Sequence, residues 1–287
     1  MTHRWLLAAG LALTLVGAAR AAPPAAIFTD PPADAAHPAR MEVLHIPTGG
    51  VEVNGIAYIP SGAGPHPTVV LFHGLPGNEK NLDLAQAIRR AGWTVVTLNY
   101  RGSWGSPGTF SFKGNLEDGK AALAYARDPA NAVKLQIDPR RLVVIGHSMG
   151  GWVTALTAGS DPGVLGAVMI SAADMGMASY TPLSQRLDIA RNDMESLAGV
   201  TADSMAQEVG TLGPYTFAAA APGLAKLPLF VLTSDDGLAP MSDALVTTIR
   251  KAGGKVTTLH VATDHGWNSA RIRLEMEILN WLATLPK

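Results

Sequence analysis

Leu142-Val143-Val144-Ile145-Gly146-His147-Ser148-Met149-Gly150-Gly151 decides how the rest of the chain is read. An apolar, β-branched run breaks into Gly-x-Ser-x-Gly and resumes as a helix-like segment from Trp152 to Gly159. Glycines two before and two after Ser148 leave room for a sharp strand-to-helix turn, which lifts the hydroxyl clear of a sheet and aims the next helix's N-terminus at it. Five residues of this kind are common by themselves. The strand before them and the helix after them make the stretch a nucleophile elbow.

A serine hydroxyl is a poor nucleophile at neutral pH. It needs an imidazole to take its proton and a buried carboxylate to orient that imidazole. With the serine first, an acid and then a base are expected at the ends of later strands. Leu227 to Ser234 reads as a buried strand running into Asp235 and Asp236, and Lys255 to Val261 as a strand followed by the loop Ala262-Thr263-Asp264-His265-Gly266. His265 is therefore the expected base. Asp236 is the expected acid, because Asp236-x-x-x-Pro240 places it in a loop with a proline starting the next helix. Asp235 then faces solvent, and Asp174, just after the strand Gly166 to Ser171, is a third candidate. Among the other histidines, His147 points elsewhere on the elbow, His260 lies in a strand, His45 and His66 read as structural, and His73 as a loop brace.

Addition of the serine to a carbonyl creates an oxyanion, which two backbone N–H groups typically stabilise. Met149, next after the nucleophile, supplies one. The other is expected from the loop His73-Gly74-Leu75-Pro76-Gly77 that follows the strand Thr68 to Phe72. Proline has no N–H, so Leu75 is the first candidate, with Gly77 behind it.

Composition bounds the rest. At 287 residues and 47% hydrophobic, the chain suffices for one large α/β domain with a sizeable core. Charged residues are only 16% and form no basic run, which argues against a nucleic-acid partner. The sequence has no Gly-x-x-x-x-Gly-Lys, no dinucleotide fingerprint and no His-Glu-x-x-His, so no cofactor or metal is implied. Residues 1–21 read as a secretory signal peptide: a basic start at Thr2-His3-Arg4, an apolar run from Trp5 to Val16, and a small-x-small cleavage site at Ala19-Arg20-Ala21. That apolar run is short of the roughly 20 residues a bilayer requires, so no stable membrane insertion is expected after its removal, and the chain is expected to be exported, periplasmic or secreted. With 22 Lys and Arg against 23 Asp and Glu, losing Arg4 and Arg20 would leave three more acids than bases. There are no cysteines, which excludes disulfides and thiol chemistry.

Residues 22–40, rich in Pro and Ala, read as a flexible lead-in. Met41 to Pro47 and Val51 to Ile59 make an opening hairpin around Gly49-Gly50. Strands and helices then alternate: strand Thr68 to Phe72, helix near Asn81 to Ala91, strand Thr94 to Asn99, helix near Leu116 to Arg127, strand Arg141 to Ile145. This pattern calls for a mainly parallel sheet covered on both faces, which binds ligands at its strand C-termini. About fifty residues between Ser171 and Leu227 exceed what one crossover helix needs. Leu183, Leu187, Ala190, Met194 and Leu197 recur at steps of four and three, so an amphipathic helix and a small helical cap over Ser148 are expected at about 174–222, with Met175, Met177, Met194 and Met205 as an adaptable apolar lining. Of Trp104, Trp152 and Trp267, each a short step from a motif, at least one is expected to wall an acyl pocket, with Trp152 reading rather as core.

From about Met41 to Leu285 these features resemble the α/β-hydrolase superfamily. Asn99-Tyr100-Arg101-Gly102-Ser103-Trp104-Gly105, Asp236-x-x-x-Pro240 and Asp264-His265-Gly266 are similar to its dienelactone-hydrolase-like and prolyl-oligopeptidase-like branch. The resemblance implies an eight-stranded, mostly parallel sheet flanked by helices, with Ser148, Asp236 and His265 as the triad and Met149 and Leu75 as oxyanion donors. It departs from dienelactone hydrolases, which carry a nucleophilic cysteine, and from prolyl oligopeptidases, which carry a propeller domain. What it implies is an exported serine hydrolase acting on a small-molecule ester. A short peptide substrate is the alternative, with Glu195 or Glu208 holding its amine. A silent binding protein on the same fold is a third reading, against which an intact triad argues.

Overall fold

The computed structural model describes residues 22–286, so the signal-peptide reading of residues 1–21 lies outside the described residues. Eight strands form one sheet in the order β1-β2-β4-β3-β5-β6-β7-β8. The hairpin β1 (Arg40–Thr48) and β2 (Val51–Ile59) is antiparallel, and β2 joins β4 (Thr94–Leu98) antiparallel as well. From β4 onward β3 (His66–Phe72), β5 (Ile137–His147), β6 (Val164–Ile170), β7 (Leu229–Thr233) and β8 (Val256–His260) run parallel.

Period-two alternation in the central strands divides the core into two layers. Val69, Leu71, Val143, Ile145, Val168, Ile170, Phe230 and Leu232 point into one layer, beneath α1 (Leu82–Arg90) and α10 (Arg271–Leu282). Val70, Phe72, Leu142, Val144, Ala167, Met169, Leu229 and Val231 point into the other, beneath α2 (Phe112–Arg127), α3 (Pro129–Leu135), α4 (Met149–Ser160) and α9 (Ala239–Lys251). The α2 helix starts one turn earlier than its apolar pattern, because the Ser111 side chain accepts from Gly114 N and caps it. The unforeseen α3 has its own start signal, with Asp128 accepting from Ala130 and Asn131 N–H and Pro129 at the first position.

Two regions depart from expectation. The lead-in is not flexible throughout: residues Ala25–Ile27 form a 3-10 turn, Ile27 is buried in the α1/α10 layer, and Arg90 donates to the carbonyls of Ala26 and Ile27. An isoleucine among prolines and alanines found apolar surface to cover. The expected cap segment between β6 and β7 carries four helices, of which one was delimited in the sequence: α5 (Met175–Ala178), α6 (Leu183–Asp193), α7 (Ala202–Val209) and α8 (Phe217–Leu224). Of these, α8 packs along α4 and α9 and joins the helical layer, so the part that stands off the sheet ends before Phe217. Among the described residues no helix is long and apolar enough to cross a membrane.

Candidate active site

At the C-terminal end of β5 the backbone turns through Ser148 at φ 57°, ψ −123°, a conformation costly for any residue with a Cβ. The flanking glycines make that turn possible. A Cβ on Gly146 would sit 2.0 Å from Gly150 O, and one on Gly150 would sit 2.3 Å from Phe72 O, so α4 rises hard against β3 and β5. Ser148 N donates to Ile170 O, and Ser148 O accepts from Gly151 and Ala173 N–H, which ties the strained residue to β6 as well as to its own helix. The serine is 9% exposed at the foot of its surroundings.

The loops after β7 and β8 bring the acid and the imidazole together. His265 Nδ1 lies 2.7 Å from Asp236 Oδ2, and the Asp236 carboxyl is almost wholly buried. Burial acts to raise this carboxyl's pKa, but hydrogen bonds from His265 and from Leu238 N–H outweigh it and hold the group below the ordinary carboxylate value. An ionised carboxylate only accepts, so Nδ1 carries the proton and Nε2 keeps its lone pair. The structure records no hydrogen bond between His265 Nε2 and the Ser148 hydroxyl among the described residues, a contact that in substrate-free enzymes is often long. The other acids are engaged elsewhere. Asp235 pairs on the surface with His260 Nε2 at 3.0 Å. Asp174 caps α5 by accepting from Met177 N–H and reaches Phe217 N–H at 2.9 Å, which fastens the start of the insertion to its last helix.

His147 has a supporting role that the sequence does not announce. Its ring stands 4.6 Å from the His265 ring, and its Nε2 donates to His265 O across 2.7 Å. A carbonyl can only accept, so Nε2 is the protonated nitrogen, and Nδ1 is left buried without a partner. Burial, with the neighbouring His265 adding to it, pushes the imidazole's pKa down to about 4. Position alone gave no hint of this, since the contact spans 118 residues. The loop has further supports. Arg271 donates to Gly266 O and pairs with Asp83, Asn268 N–H is accepted by Asp264, and the fully buried Trp267 donates through Nε1 to Ser171 Oγ. Trp267 and Trp152, the latter bonded to Tyr215 O, are thus core residues.

The loop after β3 presses on the serine from the other side. Gly74 approaches so closely that a Cβ there would lie 2.9 Å from Ser148 Cβ. His73 braces this loop, with Nδ1 to Gly74 O at 2.8 Å and its ring 4.6 Å from Tyr100. The N–H groups of Leu75 and Met149 have no hydrogen-bond partner among the described residues. Gly77 lies farther along, against His73 and Trp104. Leu75 also walls a small, partly open cavity of about 30 Å³ with Phe112, Met175, Ala190, Met205 and Val209, so α5, α6 and α7 stand over this loop. Met177 is exposed and Met194 lies at the edge of the core, so only two of the four methionines line that space. Among the described residues no group of histidine, aspartate and glutamate is arranged to hold a metal.

Comparison with known proteins places this geometry in context. The hyperthermophilic esterase of Pyrobaculum calidifontis superposes with a TM-score of 0.63 over 86% of both chains, at 22% identity, which establishes a shared fold. An uncharacterized protein of Mycobacterium tuberculosis is 28% identical over 160 residues, 54% of this chain and 55% of its own. The quorum-quenching protein AidA of Acinetobacter baumannii is 34% identical over 117 residues, 39% of this chain and 37% of its own. The chain thus matches at most about half the length of these curated relatives. A family model for the alpha/beta hydrolase fold matches residues 67–234, a span that includes the elbow and stops just short of Asp236. By that match, and by the order and direction of its eight strands, the chain belongs to the alpha/beta hydrolase fold family.

Proposed function

We propose that this protein is a serine hydrolase that cleaves carboxylic esters through an acyl-enzyme on Ser148. The observation that carries the reading is the 2.7 Å bond between His265 Nδ1 and the buried Asp236, together with a serine held at a strained elbow at the end of β5. His265 Nε2 takes the hydroxyl proton as Ser148 Oγ attacks the ester carbonyl, and the carbonyl π electrons move onto oxygen. Met149 and Leu75 N–H groups receive that oxyanion. Its collapse expels the alcohol, which leaves with the proton from His265, and water repeats the sequence to release the acid and free the serine. Asp236 stays ionised and stabilises the imidazolium formed at each stage.

Of the two acids that could hold a substrate amine, Glu195 is free among the described residues and Glu208 is not. The Glu208 carboxylate accepts from Ser111 Oγ and Lys113 N–H at the start of α2, so it is spent on the fold and not offered to a substrate amine. The Pyrobaculum calidifontis neighbour is itself described as an esterase. The leader reading of residues 1–21 belongs to the same proposal and places the reaction outside the cytoplasm, testable by the mass of the mature N-terminus.

A fluorophosphonate probe is expected to label the wild-type protein on Ser148 and to leave Ser148→Ala unlabelled. Hydrolysis of p-nitrophenyl esters should disappear in the same variant, while aminoacyl p-nitroanilides remain poor substrates of the wild type. Labelling that survives the substitution would remove Ser148 from the mechanism.

A further inference from the structure

Trp104 sits where a glycine would be at ease. Its φ is +51°, in the left-handed region that a bulky side chain avoids. Trp267 is the other tryptophan with positive φ, at +59°, and its ring is fully buried, so core packing offsets its strain. Trp104 has no such compensation, since it is 39% exposed. Yet it is held from several sides. Trp104 N donates to Ser196 O, its Nε1 donates to Pro76 O at 2.7 Å, and Lys80 Nζ lies 4.4 Å from the ring centre. Strain that full burial does not offset, at a side chain fixed this firmly, marks a surface kept for contact with something outside the fold.

That surface is one wall of a groove of about 640 Å³ between the loop after β4 and the stretch that follows α6. Pro76 forms its floor, and Asn78, Asn192 and Glu195 line it with Trp104. Lys80 is not among the lining residues, so the lysine covers one side of the indole and leaves another to the groove. The side chains of Asn78, Asn192 and Glu195 make no hydrogen bond to the protein among the described residues, and so keep donors and acceptors free. Pro76, whose carbonyl accepts from the Trp104 indole, follows Leu75 and is two residues from Gly74, whose backbone lies against Ser148, so the groove borders the loop that presses on the serine. The apolar cavity walled by Leu75 shares no lining residue with this groove.

Resting on the esterase reading above, we infer that this groove is the alcohol-side subsite and that it accepts a sugar, the ring stacking on Trp104 and its hydroxyls meeting Asn78, Asn192 and Glu195. The chemistry fits a pyranose. Its axial C–H face is apolar and lies flat on an indole, while its rim of hydroxyls asks for paired donors and acceptors, which amides and a carboxylate provide. A volume of this size accommodates one or two sugar rings.

The test compares release of acetate from methyl 6-O-acetyl-glucopyranoside and from ethyl acetate, which share the acyl group and differ only in the alcohol. Wild type is expected to favour the sugar ester in kcat/KM. Trp104→Gly, which suits the +51° backbone and should fold, is expected to lower kcat/KM for the sugar ester about tenfold more than for ethyl acetate, the scale of one aromatic contact. Asn192→Ala and Glu195→Gln, on exposed positions, should shift the same ratio in the same direction. Equal losses on both esters, or no preference in the wild type, would overturn the subsite. So would dependence on Trp104 only for an ester bearing a free amine. Should the protein hydrolyse no ester at all, the groove is still tested on its own by titrating Ser148→Ala with methyl glucopyranoside and following tryptophan fluorescence. A response lost in Trp104→Gly supports the site, and silence in both proteins refutes it.

Discussion

The edge of the sheet and the insertion above it are built by different physics. Around Ser148 every position is fixed by the core: glycines that admit no Cβ, a strand on each side, and an imidazole bonded at both its Nδ1 and its own carbonyl. The insertion from α5 to α7 is held by a short row of buried side chains, Ala190, Met205, Val209 and Leu212, by caps, and by a seam where Ser103 bridges to Leu197 and Ala198 N donates to Gly102 O. It leaves Met177, Tyr180, Leu183 and Ile189 exposed. The contrast teaches that the elbow is held by backbone packing that tolerates no added atom, whereas the outward side chains of the insertion can be exchanged without disturbing the sheet.

The strongest way to break that division is at the acid. Asp236→Asn is expected to lower kcat by about 10⁴, since the amide holds the wrong imidazole tautomer. Asp235→Asn, at a surface pair with His260, should cost far less. Steady-state ester kinetics on both variants checks the ranking, and the reverse order would move the acid.

His147 sharpens the comparison from within the rigid edge. Replacing it by Phe leaves the His265 carbonyl without its donor, and a buried acceptor lost in this way is expected to lower kcat about tenfold to a hundredfold. His147→Gln, which can donate to the same carbonyl, should recover part of the loss with KM unmoved. The same residue gives a pH signature. His147 and His73 are both held down to about 4 by burial, against an unfolded value near 6.5. The unfolded chain therefore binds more protons in this window, so stability is full above about 6.5 and falls progressively towards pH 4. Urea unfolding midpoints across that range should show the decline, and His147→Phe should flatten part of it.

On the insertion side the effects are smaller. Asp174→Ala removes the acceptor of Phe217 and Met177 N–H and is expected to destabilise by about 1–3 kcal/mol, with greater protease sensitivity in α5 to α7 than in the sheet. Met205→Ala enlarges the cavity behind Leu75. For wild type, kcat/KM should rise by up to about fourfold per methylene and then break at a short acyl chain, and in the variant the break should move to a longer one. An unmoved break would show that the cavity does not receive the acyl group.

The sheet was legible because its signals are local. Val51 to Ile59 matches β2 residue for residue, and the apolar runs before Ser148 and Asp235 mark β5 and β7. Ser148, Asp236 and His265 are expected from their order along the chain, and of the three the structure brings Asp236 and His265 into contact. What escaped was non-local or weakly patterned. The regular leucine spacing from Leu183 to Leu197 foretold α6, but Leu183 itself is exposed and the helix ends at Asp193, because the next residues leave to form the seam with Gly102 and Ser103. The short helices α7 and α8 begin at side-chain caps from Thr201 and Thr216, and each is too short for its apolar positions to form a long pattern. His147 was dismissed because nothing in its neighbourhood announces a partner 118 positions away.

The strand that delivers His265 is also the least protected in the sheet. β8 pairs only with β7, and the side chains of Thr257, Thr258 and His260 face solvent. Polar threonines on such an edge discourage another chain from adding to it. They also leave the strand little to lose on fraying. On heating, β8 and its loop should therefore peel away while the central strands are still intact, so that activity is extinguished at a temperature where circular dichroism has barely changed. Operational lifetime in this protein is then set by the seam between two neighbouring strands and not by the strength of its core.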